Sequence, residues 1–266
     1  ITFVRTDQPA ATAVVPALWD RVTETRLCTV IANEHGVSVS TVEHLMAALR
    51  GCGIDNAVVE IDGPEVPIMD GSSAPFVFLI ECAGIVDQDA PRRTIRILKE
   101  VTVRDGDKIA TLSPAAESIF SCEISFESKV IGRQIGLVHL GEGRFRSDVS
   151  RARTFGFLHE VEYLRSIGLA RGGSLDNAIV IDGDTILNEG QLRYPDEFVR
   201  HKILDSIGDL YLAGAPILGR FHAFRPGHAL NSQLLRALFA DRSAWTDDSA
   251  DSAAVLKPLP VAVAVG

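Results

Sequence analysis

The chain is predicted to be an α+β protein rather than an alternating parallel sheet. Two observations carry that prediction: strand-like runs lead into helical ones, and the same order then repeats. A third sets the division: VDQDAPRR, residues 86–93, is polar and carries a proline, so it reads as a linker. A first domain over residues 1–88 and a second over 89–266 follow from it.

In the first pass, ITFVRT, LCTVIAN and NAVVEID are rich in β-branched residues and read as strands. Between the last two, SVSTVEHLMAALRG predicts a helix through His44, Leu45, Ala48 and Leu49 that stops near Gly51 or Gly53. Ser40 or Thr41 is the expected cap, and Glu43, three residues after Ser40, suits a capping box. A turn at Asp70-Gly71 precedes a helix from about Ser73 to Ala83. The second pass opens on the strands TIRILKEVTVRDG, KIATLSP and SIFSCEISFES. A helix is expected from Phe155 to Ile167, then strand-like NAIVID, then one helix around His201 and another entered at His228 after the Pro226-Gly227 turn. From about residue 241 the chain is rich in Asp, Ser and Ala and is expected to be loosely held.

Composition narrows the function. At 266 residues and 46% hydrophobic content, the chain can bury a substantial core. A net charge of −9, with no basic cluster, excludes a general nucleic-acid binder. Cys28, Cys52, Cys82 and Cys122 lie far apart without a C-x-x-C pair, which fits free thiols in a reducing, cytoplasmic compartment. No apolar run is long enough to span a membrane, and no signal-peptide pattern is present. The chain opens on strand-like ITFVRTD without a methionine, so a preceding segment is expected.

Chemistry concentrates around three histidines. In HKILDSIGDL, His201, Asp205 and Asp209 recur at spacings of four and share one helical face. They are either polar residues on a solvated surface or an imidazole and a carboxylate sharing a metal ion, with Asp209 behind them. His44 sits early in its helix, where the dipole disfavours a cation, so it is either an ordinary first-turn histidine or a metal ligand; Glu43 beside it could serve as a base for a metal-activated water. His228 is either a plain helix-entry residue, with Asn231 a polar neighbour, or a participant in the same chemistry. His35, His139, His159 and His222 have no such spacing.

Five motifs together, STVEHLMAAL, PIMDGSSAPFV, SRARTFGF, FVRHKILDSIGDL and GHALN, resemble the UDP-3-O-acyl-N-acetylglucosamine deacetylases, zinc amidases of lipid A biosynthesis in Gram-negative bacteria. The resemblance runs from about Thr6 to Phe239. It implies two similar domains, each a small β-sheet packed with helices, with the active site between them. It makes His44, His201 and Asp205 the Zn2+ ligands, a set that leaves a fourth position for water, whose pKa zinc can lower to about 7. By the same resemblance Glu43 is the general base. His228 stabilises developing charge and protonates the leaving amine, Asp209 orients it, and Thr154 helps hold the oxyanion. Glu43 is then expected to have a low pKa and His228 a raised one, giving a bell-shaped pH profile.

Substrate contacts are implied in the same way. Lys202 matches a lysine at the nucleotide end and Phe155 a residue packing on the sugar, although a surface lysine and a core phenylalanine are the ordinary readings. Residues 157–180 resemble an insert forming an apolar passage for the acyl chain, with Leu158, Val161, Ala170, Gly173 and Ala178 as its walls. The partner is thus a UDP-linked acylated amino sugar, handled by a monomer with no stable membrane insertion. Two departures stand out: the family's opening strand and glycine-rich segment with a further histidine are absent, and Lys129 to Arg146 diverges from its pattern. Another zinc amidohydrolase, or a metal-stabilised binding module without turnover, are the rival readings; the module has no use for Glu43, His228 and Asp209 together.

Overall fold

The computed structural model describes residues 1–141, 143–168 and 172–248. In chain order the first part holds β1 (Thr2–Arg5), β2 (Val14–Pro16), β3 (Val22–Glu24), β4 (Val30–Ala32), β5 (Ser38–Val39), α1 (Glu43–Gly51), β6 (Val58–Ile61) and α2 (Ala74–Ala83). Residues 84–91 are exposed throughout. Then come β7 (Thr94–Ile97), β8 (Val101–Asp105), β9 (Lys108–Ser113), β10 (Ser118–Ser125), β11 (Arg133–His139), α3 (Arg144–Asp148), β12 (Phe155–Phe157) and α4 (Leu158–Ser166). The described chain closes with β13 (Ile179–Asp182), β14 (Thr185–Ile186), α5 (Glu197–Tyr211), β15 (Ile217–Phe224), α6 (His228–Ala240) and β16 (Trp245–Asp248). The architecture is α+β.

Two small sheets belong to the first part: β2-β1-β6, with Phe3 fully buried, and the antiparallel β3-β4-β5. The larger sheet runs β11-β10-β15-β7-β16. Its axis is β15, where Ile217, Phe221 and Ala223 point inward while Arg220 and His222 face out, the period-2 pattern of a half-covered strand. One edge of β15 is shared: β7 pairs in parallel at Ile217 and Leu218, and β9 pairs antiparallel from Arg220 to Phe224.

The element that organises the site is α5. Every residue of it except Arg200 and Lys202 is buried, between α1, the β10–β11 hairpin and α6. A helix buried on all sides has no solvated face, so the surface reading of His201, Asp205 and Asp209 fails. Gly208 sets the approach of α5 to α1: a Cβ there would lie 1.9 Å from the carbonyl oxygen of Glu43.

Local details depart from the sequence reading. The expected Ser40/Thr41 cap is absent: α1 starts after Val42, and Thr41 instead donates its hydroxyl to Glu65 (2.7 Å). Glu43 is likewise turned to Thr29 rather than back into a capping box. The helix expected from Phe155 starts only at Leu158, because Phe155, Gly156 and Phe157 pair in parallel with Ile179, Val180 and Ile181. Within the stretch read as loosely held, Trp245–Asp248 pair antiparallel with β7.

Candidate active site

Three elements deliver the chemistry. α1 brings Glu43 and His44 at its first turn, α5 brings His201, Asp205 and Asp209, and α6 brings His228 at its start. Thr41 and Arg225, just upstream of α1 and α6, both take left-handed backbone (φ 58° and 52°), a strained conformation that recurs where functional side chains must be aimed.

One ligand atom from each of His44, His201 and Asp205 lies within 4.8 Å of the others. Nε2 of His44 and Nε2 of His201 stand 3.5 and 3.3 Å from Oδ1 of Asp205. That oxygen is buried and has no hydrogen-bond partner among the described residues, an arrangement costly for a carboxylate unless a cation sits among the three groups. Nδ1 of His201 lies 3.1 Å from the Ala152 carbonyl; a proton there leaves Nε2 as the free donor atom, the orienting contact usual for a metal-bound imidazole. Burial pushes His201 down to about 3, so it stays neutral as a ligand requires. Burial alone would raise Asp205, but attraction from its neighbours, with the Lys202 ammonium 3.0 Å away, outweighs it and holds the carboxyl well below its ordinary value. The donor set fits a divalent metal.

A second cluster adjoins the first. Nδ1 of His228 is 2.8 Å from Oδ2 of Asp209, and its Nε2 is 3.7 Å from Oε1 of Glu43. Burial opposes the charge on His228, yet Asp209 and Glu43 prevail and lift it to about 10. Glu43 departs from the sequence expectation. It is 3% exposed, and burial raises its carboxyl above the ordinary value in spite of His228 and His44.

Thr154 lies two residues beyond Ala152, with its backbone tied to Gly71 and Ile179, both at 2.8 Å. Lys202 pairs with Asp205 (3.0 Å) and stands 5.5 Å over the ring of Phe155. Phe155 in turn meets His201 edge-on at 6.3 Å. Lys202 and Phe155 therefore flank the metal-type cluster and are neither plain surface nor plain core. Leu158, Val161, Gly173 and Ala178 are half-buried around the small β12-β13-β14 sheet, whereas Ala170 lies outside the described residues. Tyr163, Ile167 and Leu175 on the same segment are exposed apolar residues.

Sequence reasoning missed four supports. Thr29 donates to Glu43 and Asp209, Ser73 donates to the His44 carbonyl (2.7 Å), and Asn231 donates to Asp209 (2.9 Å). Arg153 pairs with the fully buried Glu197 at the start of α5 (2.9 Å). Only Asn231 had a readable signal, since it falls three residues after His228 on the same helical face.

Comparison with known proteins agrees with this geometry. The family model described as UDP-3-O-acyl N-acetylglycosamine deacetylase matches residues 1–240. A UDP-3-O-acyl-N-acetylglucosamine deacetylase of Phenylobacterium zucineum is 56% identical over 245 residues, 92% of this chain and 84% of the relative. One of Shewanella oneidensis is 52% identical over 247 residues, 92% of this chain and 80% of the relative. A match across nearly the whole chain shows that the chain belongs to the UDP-3-O-acyl N-acetylglycosamine deacetylase family.

Proposed function

We propose that the protein hydrolyses the acetamide of UDP-3-O-(3-hydroxyacyl)-N-acetylglucosamine, releasing acetate and the free amine in lipid A biosynthesis. The observation that supports it most directly is a buried His44/His201/Asp205 cluster set beside a carboxylate–imidazolium pair. Zinc held by those three residues would supply Lewis acidity to activate a water and polarise the amide carbonyl. The chain divides the proton work. Glu43, raised by burial and so a stronger base than an exposed glutamate, takes a proton from the attacking water. His228, charged through neutral pH, donates from Nε2 to the departing nitrogen while Asp209 holds its Nδ1. The Thr154 hydroxyl, on a backbone tied to Gly71 and Ile179, would donate to the oxyanion. Lys202 and Phe155 would receive the nucleotide-sugar end, and the 157–180 segment, with Leu158, Val161, Ala170, Gly173 and Ala178, the acyl chain.

The same reading places the enzyme in the cytoplasm as a monomer, with domains meeting near residues 88–89; four unpaired cysteines support the compartment and the exposed 84–91 segment supports the division. Among the described residues no helix is long and apolar enough to cross a membrane. The test is acetate release by zinc-replete protein. Turnover of the 3-O-acylated UDP-sugar, with UDP-N-acetylglucosamine competing weakly and turned over poorly, is the expected result. No acetate from the acylated substrate would reject the proposal.

A further inference from the structure

Thr29 is the point where the two proton-handling arms meet. It is 2% exposed, in the short connection entering β4, and all three of its polar groups are committed. Its backbone N–H donates to Oε2 of Glu43 at 3.0 Å. Its hydroxyl donates to Oδ1 of Asp209 at 2.6 Å. Its carbonyl accepts from the amide of Val42, the residue before α1. Glu43 and Asp209 arise from different helices, and both face His228. Nothing else among the described residues donates to both carboxylates.

We infer that Thr29 is a positioning residue for catalysis: it fixes the carboxylate of Glu43 against that of Asp209, and so sets where His228 stands between them. The inference rests on the acid–base roles proposed above. Its physical basis is that both carboxylates are buried and need donors. Asp209 has three: the Thr29 hydroxyl on Oδ1, and Asn231 and His228 on Oδ2. Among the described residues, Oδ1 has Thr29 alone as donor. Without that hydroxyl, Asp209 can turn toward Asn231, and the Nδ1 contact that aims the His228 proton loosens. A charge-assisted hydrogen bond made within a catalytic pair is felt in the chemical step, because the acid must be aimed at the leaving nitrogen when the bond breaks.

Thr29→Val keeps the shape and the backbone donor but removes the hydroxyl, whereas Thr29→Ser keeps the hydroxyl. With purified zinc-replete protein, Thr29→Val is expected to lower kcat by roughly 10–100-fold. KM should stay within about twofold and bound zinc at the parent stoichiometry, since uniform binding and the ligands are untouched. Thr29→Ser should keep kcat within about threefold of the parent, the lost methyl being a packing change only. In the Asp209→Asn background, Thr29→Val should cost much less than in the parent, because the two residues act as one unit. If Thr29→Val retains parent kcat, or if serine fails to rescue while zinc and folding stay intact, Thr29 does not position the pair. Equal effects of Thr29→Val in both backgrounds would also overturn the inference. Glu43→Ala and Asp209→Asn, assayed alongside, separate the two levels. Full activity in those variants overturns the acid–base roles themselves, whereas their collapse beside an unaffected Thr29→Val overturns the positioning role alone.

Discussion

His228 holds its proton because Asp209 stands on one side of the ring and Glu43 on the other, and their attraction exceeds the cost of burial. Its shift, from an ordinary 6.5 to about 10, has a definite sign. A raised pKa contributes folding stability that is fully present below the unfolded value and is lost as pH rises toward the folded one. The proton-donating form should therefore persist well into the alkaline range, while raised Glu43 moves the acid limb of activity above that of a free glutamate. Profiles of kcat/KM from about pH 5 to 10.5 are expected to show both limbs. Asp209→Asn should shift the alkaline limb downward, and an unmoved limb would contradict the assignment. The spacing of His201, Asp205 and Asp209 was legible without coordinates, because four-residue recurrence on a helix needs no tertiary knowledge. The direction of the Glu43 shift was not. It depends on how completely the carboxylate is enclosed, and part of that enclosure comes from α5 and α6, more than a hundred positions away. Thr29 was hidden for the same reason: a threonine in LCTVIAN looks like any β-strand threonine until α5 arrives beside it.

At the scale of elements, the site exists because α1 and α5 touch at backbone distance. Gly208→Ala would drive a Cβ to 1.9 Å from the Glu43 carbonyl oxygen and force the helices apart. A loss of about 1–3 kcal/mol in unfolding free energy is expected, together with a fall in turnover from displacement of Glu43. Gly141→Ala, where an added Cβ meets nothing within 4 Å among the described residues, should stay within about 0.5 kcal/mol of the parent by denaturant titration. Equal stabilities for the two variants would remove the close-approach argument. The helices α1, α2, α5 and α6 could be read from apolar periodicity and turn residues. By contrast β12 reads locally as the start of a helix, since its partner β13 lies over twenty residues downstream and only that pairing makes Phe155-Gly156-Phe157 a strand. The same holds for β16, whose polar sequence WTDD becomes a strand through β7 and the Arg93–Asp247 and Arg96–Asp248 ion pairs.

For the whole molecule, three groups from α1 and α5 converge on one prospective ion, so metal binding and folding are linked. Zinc at about a hundred times its dissociation constant should add about 2.7 kcal/mol, read as a higher Tm than that of chelator-treated protein. His201→Ala should abolish that difference, whereas Glu43→Ala should keep it. Limited proteolysis is expected to cut first within the exposed 84–91 segment, between the two parts of the chain. The most direct test of the central claim is single-turnover acetate release from UDP-3-O-(3-hydroxyacyl)-N-acetylglucosamine by Glu43→Ala, with zinc measured on the same sample. The account predicts one zinc per chain and a rate lower by about 10²–10⁴-fold. A variant that binds zinc and releases acetate at the parent rate would contradict it.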